Sequence, residues 1–326
     1  MTHVFNSAKN IINILIDQKN IPRNEVSEEE IKSAIKKIKI LDEFNSLKES
    51  DYDKLLKSLL ADYRIKTGSI SELSEDLPKW VNEFRAKNEM PLWERYKNLI
   101  SKDPSFPTTE LDDFTDKILD KCVDPTIQAD WDRRGMVVGH VQSGKTSNYI
   151  GLINKASDAG YKLIIVIAGT ISSLRRQTQE RIDEGFIGRD SSLEHTNRSK
   201  VIGVGKEHVN KDIYSFTSTI YERGKDGDFN QSIATRLNIP LGNNPVVLVI
   251  KKNKSILENL IEWLSNSDNI KQIGEDKKLI NCPALVIDDE ADAASVNASK
   301  SLAEIKTINR LIRTLFTLFS QKTFIG

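Results

Sequence analysis

From about residue 125 onward, the sequence contains six short apolar runs separated by segments with helical periodicity. Strands that are apolar on both faces and alternate with helices are typical of a parallel sheet covered by helices on both sides. The pattern therefore predicts a doubly wound, mostly parallel α/β domain over residues 125–326. The predicted strands are GMVVG (135–139), YKLIIVIAG (161–169), KVIGVG (200–205), PVVLVIKK (245–252), PALVIDDE (283–290) and KTFIG (322–326).

Residues 1–103 are predicted to form an α-helical N-terminal region. In the segment SEEEIKSAIKKI, Ser27 and Glu30 fit a capping box, and three isoleucines recur at helical spacing. The segment KDPSFPTTELDD interrupts this pattern with two prolines. We therefore expect residues 104–124 to be a linker followed by a short helix.

Composition and charge exclude several classes of protein. Lys and Arg together number 47, as do Asp and Glu, so a nucleic-acid partner would need a local basic strip. Two cysteines and four histidines form neither CxxC nor HExxH, which argues against a zinc site. Since no apolar run approaches roughly 20 residues and no signal peptide is evident, we expect a cytoplasmic protein without a membrane partner.

The segment GHVQSGKT, residues 139–146, fits the phosphate-loop pattern GxxxxGK[ST] at every fixed position. It lies between a predicted strand and a predicted helix, as this loop requires. Backbone N–H groups and the helix N-terminus would bind phosphate oxygens, Lys145 would reach the β- and γ-phosphates, and Thr146 would ligate Mg²⁺. ATP and Mg²⁺ are therefore the predicted cofactors. The predicted nucleotide-binding residues are Gly139, Gln142, Ser143, Gly144, Lys145, Thr146 and Ser147.

The segment LVIDDEAD, residues 285–292, is an apolar strand that ends in acidic residues. By itself, such a cluster is usually a solvated loop. After a phosphate loop in the same α/β domain, Asp289 would hold Mg²⁺, directly or through water, and Glu290 would orient and deprotonate the attacking water. The predicted catalytic residues are thus Lys145, Asp289 and Glu290, and the predicted metal ligands are Thr146 and Asp289.

Several separate blocks of the sequence resemble known families. The DEAD sequence at 289–292, after GxxxxGKT, resembles motif II of the superfamily-two helicases and translocases. The longer segments GMVVGHVQSGKTSNYIGLI, LRRQTQERID and VIDDEADAASVN are similar to the helicase-like ATPase portion of the endonuclease family called Z-one. The resemblance covers roughly residues 125–326, and residues 1–120 show none. It implies a RecA-like P-loop NTPase lobe, the first lobe of a two-lobed motor.

The resemblance also implies a nucleic-acid contact after the second predicted strand, where such motors carry motif Ia. The implied residues are Thr170, Arg175, Arg176 and Gln177. Hydroxyl and arginine side chains near a helix N-terminus are suited to sequence-nonspecific contacts with phosphates, and DNA is the expected partner. The alternative is that these arginines, with Arg181, form a solvated helical face.

The final run KTFIG has the form of the strand that leads into motif III. The resemblance therefore implies that the second RecA-like lobe, its arginine finger and any nuclease region lie on a continuation of the chain or on a partner chain. We expect no nuclease centre within the 326 residues, because their acidic and ExK triplets are of the kind that arise by chance.

Together these features predict the ATP-binding and hydrolysing lobe of a superfamily-two helicase-like DNA motor. The resemblance to this family suggests a role in a restriction or anti-phage (antiviral) defence system. An arginine finger contributes on the order of 10³ to 10⁵ in rate, so the isolated lobe is expected to hydrolyse ATP weakly. The alternative is an ATP-dependent scaffold or switch that assembles partners without translocating. A metabolic kinase is disfavoured, because the DEAD sequence would have no role in it.

Overall fold

The computed structural model describes residues 2–18, 28–44, 46–66, 77–104, 106–138, 145–192, 200–207, 213–221, 225–273, 276–289, 291 and 302–326. The chain divides into two compact units. The smaller unit comprises Met1–Glu75 and Gly139–Lys145, and the larger comprises Asp76–Val138 and Thr146–Gly326.

The smaller unit consists of helices α1 (Thr2–Asp17), α2 (Glu28–Ile38) and α3 (Glu49–Lys66), with a 3₁₀ turn at Asp42–Phe44. Apolar residues at helical spacing point inward from each helix and form one core. That core includes Ile12, Ile16, Ile31, Ile38, Phe44, Leu55 and Leu59. Ser27 of the predicted capping box lies outside the described residues.

The larger unit contains eight helices and ten strands among its described residues. In chain order they are α4 (Val81–Lys87), α5 (Pro91–Ile100), α6 (Thr108–Lys121), β1 (Trp131–Gly135), α7 (Lys145–Ala159), β2 (Leu163–Ala168), α8 (Ser172–Ile182), β3 (Tyr214–Ser215), β4 (Ile220–Tyr221), β5 (Lys225–Asp226), α9 (Gln231–Leu237), β6 (Val246–Ile250), α10 (Lys254–Ser265), β7 (Ile270–Ile273), β8 (Asp276–Leu279), β9 (Ala284–Asp289), α11 (Leu302–Thr317) and β10 (Gln321–Ile325). A π-helical segment, Asp183–Ile187, directly follows α8.

Six of these strands form one sheet in the order β1-β10-β9-β2-β6-β3, and every neighbouring pair is parallel. Strand β9 lies between β10 and β2, so it is central. The antiparallel hairpins β4–β5 and β7–β8 are separate from this sheet. The prediction of an α/β domain with a parallel sheet is confirmed.

Helices cover both faces of the sheet. Alternate side chains of β2 enter two different cores: Ile164 and Val166 pack in the core that includes α5, α6 and α7, and Ile165 and Ile167 pack in the core that includes α10 and α11. We call these sides the α7 face and the α10 face. Because β2 and β6 bury every side chain, each position must be apolar, and burying one such side chain contributes about 1.5–3 kcal/mol.

Four predicted strands are confirmed as β2, β6, β9 and β10. The first prediction, at 135–139, is displaced, because β1 is Trp131–Gly135 and residues 136–138 are not in a strand. Strand β1 lies at the edge of the sheet and its side chains are half-buried or exposed, so it tolerates the charged residues of WDRRG. An apolar run is therefore a poor marker for this strand.

The predicted strand at 200–205 is wrong. Gly203–Lys206 forms a 3₁₀ turn, and the edge strand next to β6 is Tyr214–Ser215. The backbone of Gly205 packs tightly against the π-helical segment's end, where a Cβ would lie 1.9 Å from the carbonyl oxygen of Gly188. The glycines of KVIGVG thus permit close backbone packing instead of a strand.

Helices α4, α5 and α6 belong to the larger unit. Val81, Trp93 and Leu111, one from each of these helices, are buried in the core of the α7 face. The larger unit accordingly begins at Asp76. Helices α4 and α5 lie in the segment predicted as the N-terminal region, and α6 lies in the segment predicted as the linker and short helix. Pro107 is the N-cap residue of α6, where its missing N–H interrupts no hydrogen bond within the helix.

No helix in the described ranges combines the length and apolar character needed to cross a membrane.

A buried carboxylate joins α8 to the π-helical segment. Asp183 is 1% exposed; Gln179 donates to its Oδ1 at 2.8 Å, and the Ser191 hydroxyl donates to its Oδ2 at 2.6 Å. Burial raises the pKa of Asp183 to about 7, although the hydrogen bonds from Ser191 and Gln179 act in the opposite direction. Folding therefore raises the affinity of this group for a proton.

We expect Asp183 to make folding less favourable as the pH rises. A carboxyl whose folded pKa exceeds the unfolded value of 3.8 carries no penalty below pH 3.8, and its penalty is complete above about pH 7. Urea unfolding of the wild type and of Asp183→Asn should be measured at pH 4.5 and at pH 8. Between these two pH values, the free energy of unfolding of the wild type should fall by a few kcal/mol more than that of the variant. The exposed Asp113→Asn on α6 is the control, and an equal pH slope in wild type and Asp183→Asn would contradict this expectation.

Candidate functional site

The chemistry-bearing residues gather at the carboxyl edge of the sheet, where its parallel strands all end. Strand β9 ends at Asp289, which pairs with Ala168 at the end of β2. Of the predicted site, the structure describes Lys145 as the first residue of α7, together with Thr146, Ser147 and Asp289. The other predicted residues lie outside the described residues; they are Gly139, Gln142, Ser143, Gly144 and Glu290.

The two aspartates at the end of β9 point to opposite faces, because successive side chains of a strand alternate. Asp288 is buried beside Lys252, and its Oδ1 lies 2.8 Å from the Lys252 ammonium nitrogen. Asp289 follows the alternation of Ile287, which packs on the α7 face, and it is half-buried. The carboxylate that faces α7 is therefore Asp289, as the predicted metal site requires.

Residues of α7 and α8 meet beside Asp289. Arg181 of α8 donates from Nη1 to the Thr146 hydroxyl at 2.7 Å. Burial and, to a smaller extent, the charge of Asp289 raise the pKa of Tyr149 to about 12, against the opposite effects of the Thr146 and Thr178 hydroxyls and of the Arg181 charge. All four groups therefore lie within electrostatic reach of the Tyr149 hydroxyl. We call Thr146, Tyr149, Thr178, Arg181 and Asp289 the Tyr149 cluster.

The hydroxyl of Tyr149 is buried without a well-formed hydrogen bond. Tyr149 is 8% exposed, and no described atom meets hydrogen-bond geometry with its Oη, even though the hydroxyls of Thr146 and Thr178 are close enough to influence its pKa. Leaving a buried hydroxyl unsatisfied costs about 1–3 kcal/mol. An oxygen atom of a bound ligand would relieve that cost.

The oxygen groups of this cluster fit a magnesium ion better than a softer metal. Among the described residues, no group of three or more His, Cys, Asp or Glu side chains could hold a metal by itself. Mg²⁺ commonly takes only one or two carboxylates from a protein and completes its octahedron with water and phosphate oxygens. Thr146 and Asp289 match that ligand chemistry.

Ser147 lies on another side of α7. Its hydroxyl is close enough to the Tyr96 hydroxyl of α5 to lower the pKa of that phenol, which burial nevertheless raises to about 12. The side chain of Ser147 is thus associated with α5, whereas Thr146 is associated with α8 through Arg181.

The prediction that Arg175 contacts nucleic acid is wrong, because its side chain is fully buried. Its Nη2 donates to the carbonyl oxygen of Ser218 at 2.8 Å, and its Nη1 donates to that of Val249 at 3.3 Å and that of Gly227 at 3.4 Å. The guanidinium therefore ties α8 to β6 and to the loop before α9. No signal in the sequence distinguishes Arg175 from its exposed neighbour.

The remaining predicted motif Ia residues, Thr170, Arg176 and Gln177, are exposed. Arg176 and Gln177 line a shallow groove of about 380 Å³ on the outer side of α8, with Ser173, Leu174 and Glu180. The Arg176 guanidinium lies 4.0 Å from the Glu180 carboxylate, and both side chains are at least half exposed. Such a surface pair is worth only about 0–1 kcal/mol, so Arg176 can exchange this partner for another anion.

We expect the two neighbouring arginines of α8 to differ sharply in their effect on stability. Arg175→Ala removes at least four donated hydrogen bonds and a charge that offsets the buried Asp228, so the unfolding free energy should fall by about 3 kcal/mol or more. Arg176→Ala removes the same charge from the surface and should change it by less than about 0.5 kcal/mol. Urea denaturation followed by circular dichroism measures both values, and similar losses would refute the structural role of Arg175.

Comparison of the chain with protein-family models, with curated proteins and with solved structures finds no match. Its function is therefore inferred from the residues and their geometry.

Proposed function

We propose that the protein binds ATP with Mg²⁺ at the carboxyl edge of the parallel sheet, as a RecA-like P-loop lobe of a superfamily-two helicase-like DNA motor. The observation that carries the proposal is the position of Thr146, in the first turn of α7 directly after the phosphate-loop sequence, and of Asp289, at the carboxyl end of the central strand β9. The sequence before α7 fits a phosphate loop, and α7 itself begins at Lys145. These segments come from parts of the chain that are far apart in sequence.

Each residue has a distinct role in this proposal. The loop GHVQSG would offer backbone N–H groups to phosphate oxygens, and Lys145 would neutralise the β- and γ-phosphates. Thr146 and Asp289 would hold Mg²⁺, which withdraws charge from the phosphoryl oxygens when it is bound. Glu290 would orient the attacking water and accept its proton.

The proposed DNA contact uses the exposed side of α8. Thr170, Arg176 and Gln177 are exposed near the start of this helix, whose N–H groups favour phosphate oxygens. Lys251 adds a further positive charge nearby, since its ammonium group donates to the Ser172 hydroxyl at 2.8 Å. Association with a second lobe or a nuclease region, and a role in anti-phage defence, depend on the family resemblance alone.

A nucleotide-dependent scaffold is the second candidate function. The observation that favours it is the separate core of the smaller unit, built from α1, α2 and α3. A compact helical module of this kind would offer a binding site for partners whose assembly depends on ATP. Translocation along DNA would then be absent.

We expect the purified chain to bind ATP only with Mg²⁺. Lys145→Ala should weaken binding at least about tenfold, because charge-assisted bonds to phosphate contribute on the order of 1.5–3 kcal/mol. Asp289→Asn should remove most of the dependence on Mg²⁺, since a carboxylate ligand is lost. Calorimetric titration checks both, with the exposed Lys117→Ala and Asp113→Asn on α6 as charge-matched controls. Binding by both site variants at the wild-type level would refute the proposed site.

DNA binding separates the motor from the scaffold. For the motor, fluorescence anisotropy should show affinity that falls with salt, and Arg176→Ala should reduce the log–log salt slope by about one, because one phosphate contact is lost. The exposed Arg236→Ala on α9 is the matched control. Self-association that requires ATP, without measurable affinity for DNA, would instead support the scaffold.

A further inference from the structure

The guanidinium of Arg181 is held by a neutral partner beside the proposed magnesium site. It lies in the last turn of α8 and donates to the Thr146 hydroxyl at 2.7 Å. Among the described acidic side chains, none forms an ion pair with Arg181 within 4.0 Å, and the neighbouring Glu180 instead lies by Arg176. A guanidinium carries five N–H donors, so Arg181 retains capacity for an anion.

Helical spacing explains why Arg181 faces α7. Arg175, Thr178 and Ile182 form the buried side of α8, and Arg181 is three residues after Thr178, which places it next to that side. Thr178 lies near the Tyr149 hydroxyl, so α8 presents Arg181 to the first turn of α7. The contact with Thr146 therefore follows from the packing of α8 against α7.

Arg181 and Mg²⁺ would compete for the Thr146 oxygen. An Mg²⁺ ion held by Thr146 would share that oxygen with the guanidinium that donates to it. The two positive charges would repel each other, and the Asp289 carboxylate would be engaged with the metal. Binding of Mg²⁺ therefore favours a position of the guanidinium away from the Thr146 oxygen, where a negatively charged group accepts its hydrogen bonds.

The orphaned hydroxyl of Tyr149 points to a ligand at the same place. It is more than nine-tenths buried, the Thr146 and Thr178 hydroxyls and the Asp289 charge act on it, and no described atom meets full hydrogen-bond geometry with it. An oxyanion next to Thr146 would accept hydrogen bonds from both the Tyr149 hydroxyl and the Arg181 guanidinium. The two side chains thus indicate a phosphate-like group between α7 and α8.

We propose that Arg181 is a specificity-determining residue that recognises the γ-phosphate and makes the site prefer ATP to ADP. The inference rests on the proposed nucleotide site. With a triphosphate, the γ-phosphate accepts the hydrogen bonds of Arg181 and separates its charge from Mg²⁺. With a diphosphate, the guanidinium has no such acceptor and competes with Mg²⁺ for the Thr146 oxygen. The free chain therefore keeps Arg181 on Thr146, and a triphosphate displaces it.

The test compares the affinities of a non-hydrolysable ATP analogue, AMP-PNP, and of ADP by calorimetric titration in the presence of Mg²⁺. Arg181→Ala should weaken AMP-PNP binding about tenfold and leave ADP binding unchanged or tighter, because only the triphosphate loses a charge-assisted bond. Arg181→Lys should give an intermediate ratio. Arg236→Ala, the same change at an exposed position on α9, should leave the ratio at its wild-type value.

The outcomes distinguish this inference from the proposed function. If the wild-type chain binds neither nucleotide, or if Lys145→Ala binds as the wild type does, the nucleotide site itself is refuted. If wild-type binding depends on Lys145 and Arg181→Ala changes both affinities equally or neither, the nucleotide site stands and the role of Arg181 is overturned. Unfolding midpoints of all the variants, measured by circular dichroism, identify any variant that fails to fold.

Discussion

Burial of β2, β9 and β6 between two layers of helices is the constraint on which the rest of the structure depends. Strands covered on both faces exclude polar side chains along their length, so the polar residues of these three strands lie only at the end of β9. Asp288 is buried as well, but its charge is paired with the Lys252 ammonium group. The next residue, Asp289, lies at the carboxyl edge of the sheet, on the side of α7.

The same constraint explains which parts of the fold could be predicted. Burial on both faces requires continuous apolar runs, and those runs correctly mark β2, β6, β9 and β10. Edge strand β1 does not need to be apolar, so its charged sequence gives no pattern from which the strand could be predicted. The helices α4 to α6 were assigned to other regions, because their amphipathic pattern shows that they bury one side but cannot show which core receives it.

The candidate site could be predicted only where a local pattern carries the chemistry. The phosphate-loop pattern selects Thr146, and an acidic strand end selects Asp289. Arg175 was misjudged because its acceptors, the carbonyl groups of Ser218, Gly227 and Val249, come from distant segments that no local pattern includes. Arg181 differs from Arg176 by its orientation on α8, which depends on how that helix packs against α7.

The burial of Arg175 also explains how the neighbouring arginines of α8 are positioned. A guanidinium that donates to several backbone carbonyls fixes α8 in rotation as well as in position, because its planar donors require acceptors in particular directions. With that rotation fixed, helical spacing directs Arg181 toward Thr146 and Arg176 toward the outer groove. The buried arginine thus carries neither proposed contact itself, but it determines where the two exposed arginines of the same helix can act.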